Sequence, residues 1–104
     1  MKKKFIVKEN RDFSDIMNSG KIKKNKSFVI YSKENDLEYN RYGISVSKKH
    51  GNAVFRNKYK RRIRSIIDNY KKDCNKGKDY IIILRRGAIG KSFEELKKDY
   101  LQLI

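Results

Sequence analysis

The chain has 104 residues, and its 28 Lys and Arg against 12 Asp and Glu give a formal net charge of +16 at pH 7. This length suits one domain over residues 1–104, and so large a positive excess favours a polyanionic partner, above all nucleic acid. No apolar run approaches the length of a membrane span. The single cysteine, Cys74, excludes an internal disulfide, and the short apolar run after the basic start does not suit a signal peptide, so we expect a cytoplasmic protein.

The first half of the chain predicts one helix and two strands after a basic lead-in over residues 1–9. The helix spans residues 10–18 and stops before Gly20. Residues 21–26 are predicted to be a basic connector, and residues 27–33 a strand. A second strand over residues 41–47 alternates apolar side chains with small ones, which leaves room for a helix or a ligand on its small face.

The second half predicts a long helix, a strand and a final helix. Asn52 is a suitable N-cap for a helix that continues to Tyr70. After a polar turn over residues 71–78, an uninterrupted apolar run over residues 79–84 is typical of a strand buried on both faces. Ser92 and Glu95 form a capping-box pattern for the last helix. The order helix, strand, strand, helix, strand, helix predicts an α/β (α+β) sandwich with mostly two layers.

The strongest functional signal lies between Lys48 and Arg64, where eight of 17 residues are Lys or Arg and none is Asp or Glu. At about 100° per residue, the predicted helix has an apolar stripe that can dock on a core and a polar stripe beside it. Guanidinium groups bind phosphate oxygens bidentately, and helix N-termini attract anions. The pattern therefore favours a surface for a phosphate backbone over a solvated basic face. The polar stripe consists of Arg56, Asn57, Lys60, Arg61 and Arg64, whereas Lys58 and Arg62 point elsewhere.

No catalytic constellation is found in the sequence. His50 is the only histidine, so neither a pair of histidines for acid-base cleavage of RNA nor a multi-histidine metal site can form. The sequence offers no second histidine or basic triad that would activate Cys74 as a nucleophile. We therefore predict that the protein has no catalytic residue and no metal ligand of its own.

The basic stretch carries a specific spacing of residues. Gly51-Asn-Ala-Val54, followed by Arg56-Asn57, Lys60-Arg61 and Arg64, resembles the signature of the bacterial ribonuclease P protein subunit. The resemblance extends to the flanking strands and covers essentially the whole chain. One departure is that the Arg-Asn-Arg typical of this family reads Arg56-Asn57-Lys58 here.

This resemblance implies the fold of the second domain of ribosomal protein S5, with an unusual left-handed βαβ crossover around the motif helix. It also implies a subunit that is not catalytic alone, within an enzyme that removes the 5′ leader from precursor tRNA. In that enzyme an RNA subunit with bound Mg²⁺ performs the cleavage. The expected partners are ribonuclease P RNA and precursor tRNA, with no membrane and no obligate protein partner.

The resemblance further implies two binding surfaces. A cleft would hold the single-stranded leader, because aromatic side chains in an electropositive groove stack on bases; its residues are Phe13, Met17, Tyr31, Ser45 and Ser47. By pattern alone Phe13 and Tyr31 suit a core equally well, and without the resemblance a place in the core is favoured. Met17 stands where many relatives carry a second aromatic residue. The second surface would hold the catalytic RNA through Lys48, Lys49, Asn52, Arg56, Asn57, Lys60, Arg61 and Arg64.

Two other classes of protein share parts of this pattern. A structural RNA-binding protein of the ribosomal type needs the same release of counterions from a phosphate backbone, so composition does not separate it from the ribonuclease P subunit. A regulator of duplex DNA would need a dimerising element or a helix-turn-helix spacing, and the sequence has neither. The spacing of the basic motif favours the ribonuclease P reading.

Overall fold

The computed structural model describes residues 3–7, 10–70 and 77–104. Cys74 and most of the predicted polar turn lie outside these ranges. Within them the chain forms three α-helices, four strands and short 3-10 helices at Lys3–Phe5, Lys48–His50 and Arg86–Ala88. The elements in chain order are α1 (Asn10–Ser19), β1 (Lys21–Lys24), β2 (Phe28–Glu34), β3 (Arg41–Ser45), α2 (Ala53–Tyr70), β4 (Lys78–Leu84) and α3 (Phe93–Leu103).

The four strands form one mixed sheet in the order β1-β2-β4-β3. β2 pairs antiparallel with both β1 and β4, whereas β3 pairs parallel with β4. Because β3 and β4 are parallel neighbours, α2 forms a crossover between them, as a parallel pair requires. The predicted α/β class is confirmed, and the left-handed sense of the crossover stays a prediction.

The predicted connector over residues 21–26 is wrong in part, because Lys21–Lys24 forms the edge strand β1. The element order therefore contains one strand more than the sequence predicted. All four residues of β1 are exposed, which is why an alternating apolar pattern is missing and why lysines are tolerated at this edge. The second predicted strand is also shorter than expected, since β3 ends at Ser45 and Ser47 caps the following 3-10 helix.

The main core lies between one face of the sheet and the helices α2 and α3. Phe28, Ile63, Ile66, Ile82 and Leu96 are each fully buried there. The apolar stripe predicted for α2 is confirmed in its central part, because Tyr59, Ile63, Ile66 and Ile67 are buried in this core. Of its predicted ends, Phe55 packs against the core, whereas Tyr70 is 37% exposed.

A smaller apolar cluster lies on the opposite face of the sheet, beneath α1. It is formed by Val7, Ile16 and Ile81, so β4 is buried on both faces as predicted. Within the basic lead-in, the Val7 backbone N–H donates to the Tyr42 carbonyl over 2.9 Å, and Ile6 forms a bridge with Tyr42. This segment therefore extends the β3 edge of the sheet.

A polar network fixes α3 to the loop before β2. Lys91 Nζ donates to Asp99 Oδ2 over 2.6 Å and to Ser27 Oγ over 3.0 Å, and Ser27 Oγ donates to the same carboxylate. Ser27 is fully buried, and these bonds satisfy its hydroxyl. The hydrogen bond from Lys91, followed by that from Ser27, holds the pKa of Asp99 below its usual value. The predicted capping box of Ser92 and Glu95 begins the same helix and is confirmed.

We predict that Asp99→Asn lowers the free energy of unfolding at pH 7 by about 1–2 kcal/mol, because it removes a charged acceptor from two donors. The lowered folded-state pKa of Asp99 means that its contribution is present at neutral pH and is lost as pH falls through that pKa. The variant should therefore lose less stability than the wild type between neutral and acidic pH, measured by chemical denaturation.

Glu94→Gln is the matched control for this prediction. Glu94 pairs with Lys97 over 2.7 Å, but its side chain is 74% exposed, and such surface pairs contribute about 0–1 kcal/mol. Identical pH dependence in the wild type and the Asp99 variant would contradict the role given to this network.

Candidate nucleic-acid interface

The N-terminus of α2 is fixed by its own side chains. Asn52 Oδ1 accepts a hydrogen bond from the Phe55 backbone N–H over 3.0 Å, which confirms Asn52 as the N-cap. The cap uses the amide oxygen, so the amide NH₂ of Asn52 remains a donor for a ligand. A Cβ on Gly51 would lie 2.8 Å from the Phe55 ring, so glycine allows the loop to lie directly against the helix. The start of the basic helix is therefore held in one geometry.

The basic residues just before α2 form the 3-10 helix Lys48–His50. Ser47 Oγ accepts from the Lys49 backbone N–H over 3.2 Å and begins this turn. Lys48 and Lys49 are exposed, and His50 is half-buried. Two cations therefore stand beside the N-terminus of α2, where the helix dipole also favours an anion.

Most of the predicted polar stripe of α2 surrounds one shallow depression on the protein surface. Its lining contains three cationic side chains and no acidic one, so its field favours an anion. The lining residues are Val54, Asn57, Lys60, Arg61 and Arg64. Lys60 is half-buried, whereas the side chains of Arg61 and Arg64 are exposed. Four of the five predicted stripe residues are thus brought together, and we call this surface the α2 depression.

Arg56 differs from the other residues of the stripe. Its side chain is half-buried at the border between the polar and the apolar stripe, and its Nε is buried without a hydrogen-bond partner among the described residues. A buried donor without an acceptor costs about 1–3 kcal/mol, so an acceptor oxygen would stabilise this side chain.

Arg62 lies away from the α2 depression, as the sequence predicted. Its guanidinium carbon is 5.5 Å from the centroid of the Tyr59 ring, in a cation–π contact. Arg61 and Arg62 are therefore neighbours in sequence with different surroundings.

The leader cleft predicted from the resemblance falls on the opposite face of the sheet, beside α1. Phe13 lies over Gly43, because a Cβ on this glycine would come within 2.6 Å of the Phe13 ring. The small face predicted for β3 therefore accommodates a helix side chain at this position. Phe13 and Tyr31 pack against the cluster beneath α1 and are half-buried, so each contributes to the core and keeps part of its surface accessible.

The remaining predicted cleft residues lie on the same side of the molecule or at its border. Met17 follows Phe13 by four residues on α1 and is 41% exposed. Ser45 shares a face of the sheet with Tyr31, because Tyr31 pairs with Ile81 and Ile81 with Gly43, two residues before Ser45 on β3. Ser47 lies beyond the end of β3.

Three further apolar residues lie on this face and were not among the predicted cleft residues. Val29 and Ile83 pair with each other beside Ser45, and both are half-buried. Ile22 lies opposite Tyr31 on the edge strand and is 53% exposed. Alternation within β2 and β4 could have indicated Val29 and Ile83, but Ile22 required recognition of β1.

Among the described residues, no group of three or more His, Cys, Asp or Glu side chains is placed to hold a metal ion. Within the same ranges, no helix is long and apolar enough to cross a membrane.

A basic, single-sheet α/β protein with a cationic depression on one face and half-buried aromatics on the other has the features expected of a nucleic-acid-binding protein. The family model described as Ribonuclease P matches residues 1–104, and the chain belongs to this family. It is 45% identical to the ribonuclease P protein component of Mycoplasma mycoides over 105 residues, covering 100% of this chain and 96% of the relative. The ribonuclease P protein component of Bacillus cereus is 42% identical, with 99% of this chain and 90% of the relative covered.

Solved structures of the same family share the fold. The Staphylococcus aureus RNase P protein superposes with a TM-score of 0.88 at 37% identity, covering 95% of this chain and 91% of that one. The RNase P protein from Thermotoga maritima gives a TM-score of 0.86 at 34% identity, with 93% and 92% covered. The predicted family and fold class are therefore confirmed.

The concentration of positive charge on α2 predicts stabilisation by bound anions. Millimolar phosphate should raise the thermal midpoint more than chloride at equal ionic strength, because an anion that binds only the native state stabilises it by mass action. The low concentration keeps the general effect of excluded salts small.

The double variant Lys60→Ala/Arg64→Ala should show a smaller phosphate-dependent increase, since both side chains line the α2 depression. Lys58→Ala/Arg62→Ala removes the same charge outside that depression and should keep the increase. Equal midpoints of the wild type in the two buffers would contradict this prediction.

Proposed function

We propose that the chain acts as the protein subunit of ribonuclease P, which removes the 5′ leader from precursor tRNA, and that it does so as one domain in the cytoplasm. In this proposal the cleavage itself is performed by the RNA subunit with bound Mg²⁺, as the family resemblance implies. Family membership over residues 1–104 supports the assignment. The protein's contribution is to bind and position two RNA molecules.

The first contact is argued from the α2 depression, whose lining brings Lys60, Arg61 and Arg64 together and includes no acidic side chain. In this proposal its cations neutralise phosphates of the catalytic RNA, and Asn57 adds a donor and an acceptor. Arg56 supplies a buried donor that a phosphate oxygen would satisfy after a small movement of the side chain. Lys48, Lys49 and Asn52 extend the contact at the N-terminus of α2.

The second contact in this proposal is the face beside α1, which takes the single-stranded leader. Phe13 and Tyr31 are half-buried, so their inner parts are fixed by packing while their outer parts can stack on bases. Met17 provides a polarisable apolar surface next to Phe13. Ser45 and Ser47 have small side chains that let a chain of nucleotides approach the sheet.

Reconstitution tests the proposal directly. The protein is mixed with a bacterial ribonuclease P RNA at low Mg²⁺, and cleavage of a precursor tRNA is followed. We expect cleavage only with both components and none with the protein alone. Binding to that RNA no tighter than to unrelated RNA, without stimulation of cleavage, would favour a structural RNA-binding protein instead.

Arg61→Ala and Arg62→Ala form a matched pair for the first contact, since both remove one guanidinium from neighbouring positions. Arg61→Ala should weaken assembly with the RNA and reduce the slope of log K against log salt by about one. Arg62→Ala should do little to binding, because this side chain lies over Tyr59. Equal losses in the two variants, measured by filter binding across a salt series, would show that the depression is not the contact surface.

Phe13→Leu tests the second contact. Leucine keeps apolar packing beneath α1 but removes the ring, so affinity of the holoenzyme for precursor tRNA with a leader should fall about tenfold. Affinity for mature tRNA should not change. Met17→Phe should tighten leader binding, because it adds a second ring one helical turn away.

Phe93→Leu controls for a general effect of losing a phenyl ring, since Phe93 packs against the main core on the other face of the sheet. An equal loss for precursor and mature tRNA in the Phe13 variant would exclude a role in leader recognition.

A further inference from the structure

Val54 is the most exposed large hydrophobic side chain among the described residues, with 79% of its surface accessible. It is the second residue of α2 and is not among the residues of this helix that pack on the core. A β-branched residue is also a poorer helix former than alanine at such a position. Neither packing in the core nor helix propensity therefore accounts for a valine at this position.

The surroundings of Val54 are specific. It lines the α2 depression together with Asn57 and Arg61, which follow it by three and seven residues and therefore share its face of the helix. Every other residue of this lining is cationic or an amide. Val54 is thus a single apolar contact point within a surface built for an anion.

A nucleotide matches this combination, because its phosphate is anionic while its ribose and base have apolar faces. If phosphates lie on Lys60, Arg61 and Arg64, an adjoining sugar or base can cover the valine. We infer that Val54 is a binding residue for the apolar face of a nucleotide of the catalytic RNA, next to the phosphates that the cations hold. This inference rests on the proposed function of the α2 depression.

The contribution of Val54 to RNA affinity should depend on salt concentration differently from the contribution of the cations. Burial of apolar surface does not release counterions, so its contribution to affinity is the same at every salt concentration. Val54→Ala should weaken RNA binding about fivefold, the scale expected for partial loss of two buried methyl groups, with an unchanged salt slope. Arg61→Ala should instead change the slope.

The experiment measures affinity of the full chain for ribonuclease P RNA across a KCl series, together with the thermal midpoint of each variant. Val54→Thr keeps the shape of the side chain and replaces one methyl by a hydroxyl, so it should also bind more weakly than the wild type. Leu101→Ala removes a side chain that is 42% exposed on α3 and should not alter binding. The midpoint of Val54→Ala should be unchanged or higher, because alanine is the better helix former.

Three results would overturn the inference: wild-type affinity in the alanine variant, wild-type affinity in the threonine variant, or a lower midpoint that indicates a structural role. A changed salt slope in Val54→Ala would also overturn it, since the effect would then be electrostatic. If the wild type shows no preference for this RNA and Arg61→Ala binds as the wild type does, the proposed function fails as well. If Arg61→Ala behaves as expected and Val54→Ala does not, only the inference about Val54 fails.

Discussion

The structure depends on the docking of α2, which must bury one face in the core while it carries six cations. Its buried residues, Tyr59, Ile63, Ile66 and Ile67, contribute about 1.5–3 kcal/mol each. Five pairs of these cations are three or four residues apart, and each such pair of like charges costs only about 0.2–0.5 kcal/mol. Burial therefore exceeds repulsion by a wide margin. A helix that would be unfavourable alone in water is stable because the sheet covers its apolar stripe.

The docking of α2 also fixes the positions of its cationic side chains. A flexible basic segment would bind any polyanion, but α2 is held by its N-cap at Asn52 and by the contact of Gly51 with Phe55. Lys60, Arg61 and Arg64 therefore converge on one depression before any ligand arrives. Preorganisation of this kind reduces the conformational entropy lost on binding. In the proposed contact with RNA, the fold would contribute through the rigidity of α2 as well as through its charge.

The sequence predicted those parts of the structure that local patterns determine. The bounds of α2 followed from Asn52 and the apolar stripe, and the start of α3 followed from Ser92 and Glu95. β1 was missed because its lysines carry no strand pattern, and only pairing with β2 defines it. The packing of Phe13 on Gly43 and the buried Nε of Arg56 depend on contacts between distant segments. The family resemblance indicated both surfaces and includes Val54 in its signature, but it gave Val54 no role and did not include Ile22.

β3 connects the two surfaces through the alternation of its side chains. Tyr42 and Ile44 belong to or pack against the main core, whereas Gly43 accommodates Phe13 on the other face. The chain leaves β3 and reaches Lys48 within three residues, so the strand also sets where the basic helix begins. A change of one residue in the register of β3 would exchange its two faces, exposing Tyr42 and driving Gly43 into the core. The register of β3 therefore determines whether the face beside α1 and the α2 depression can both form in one small domain.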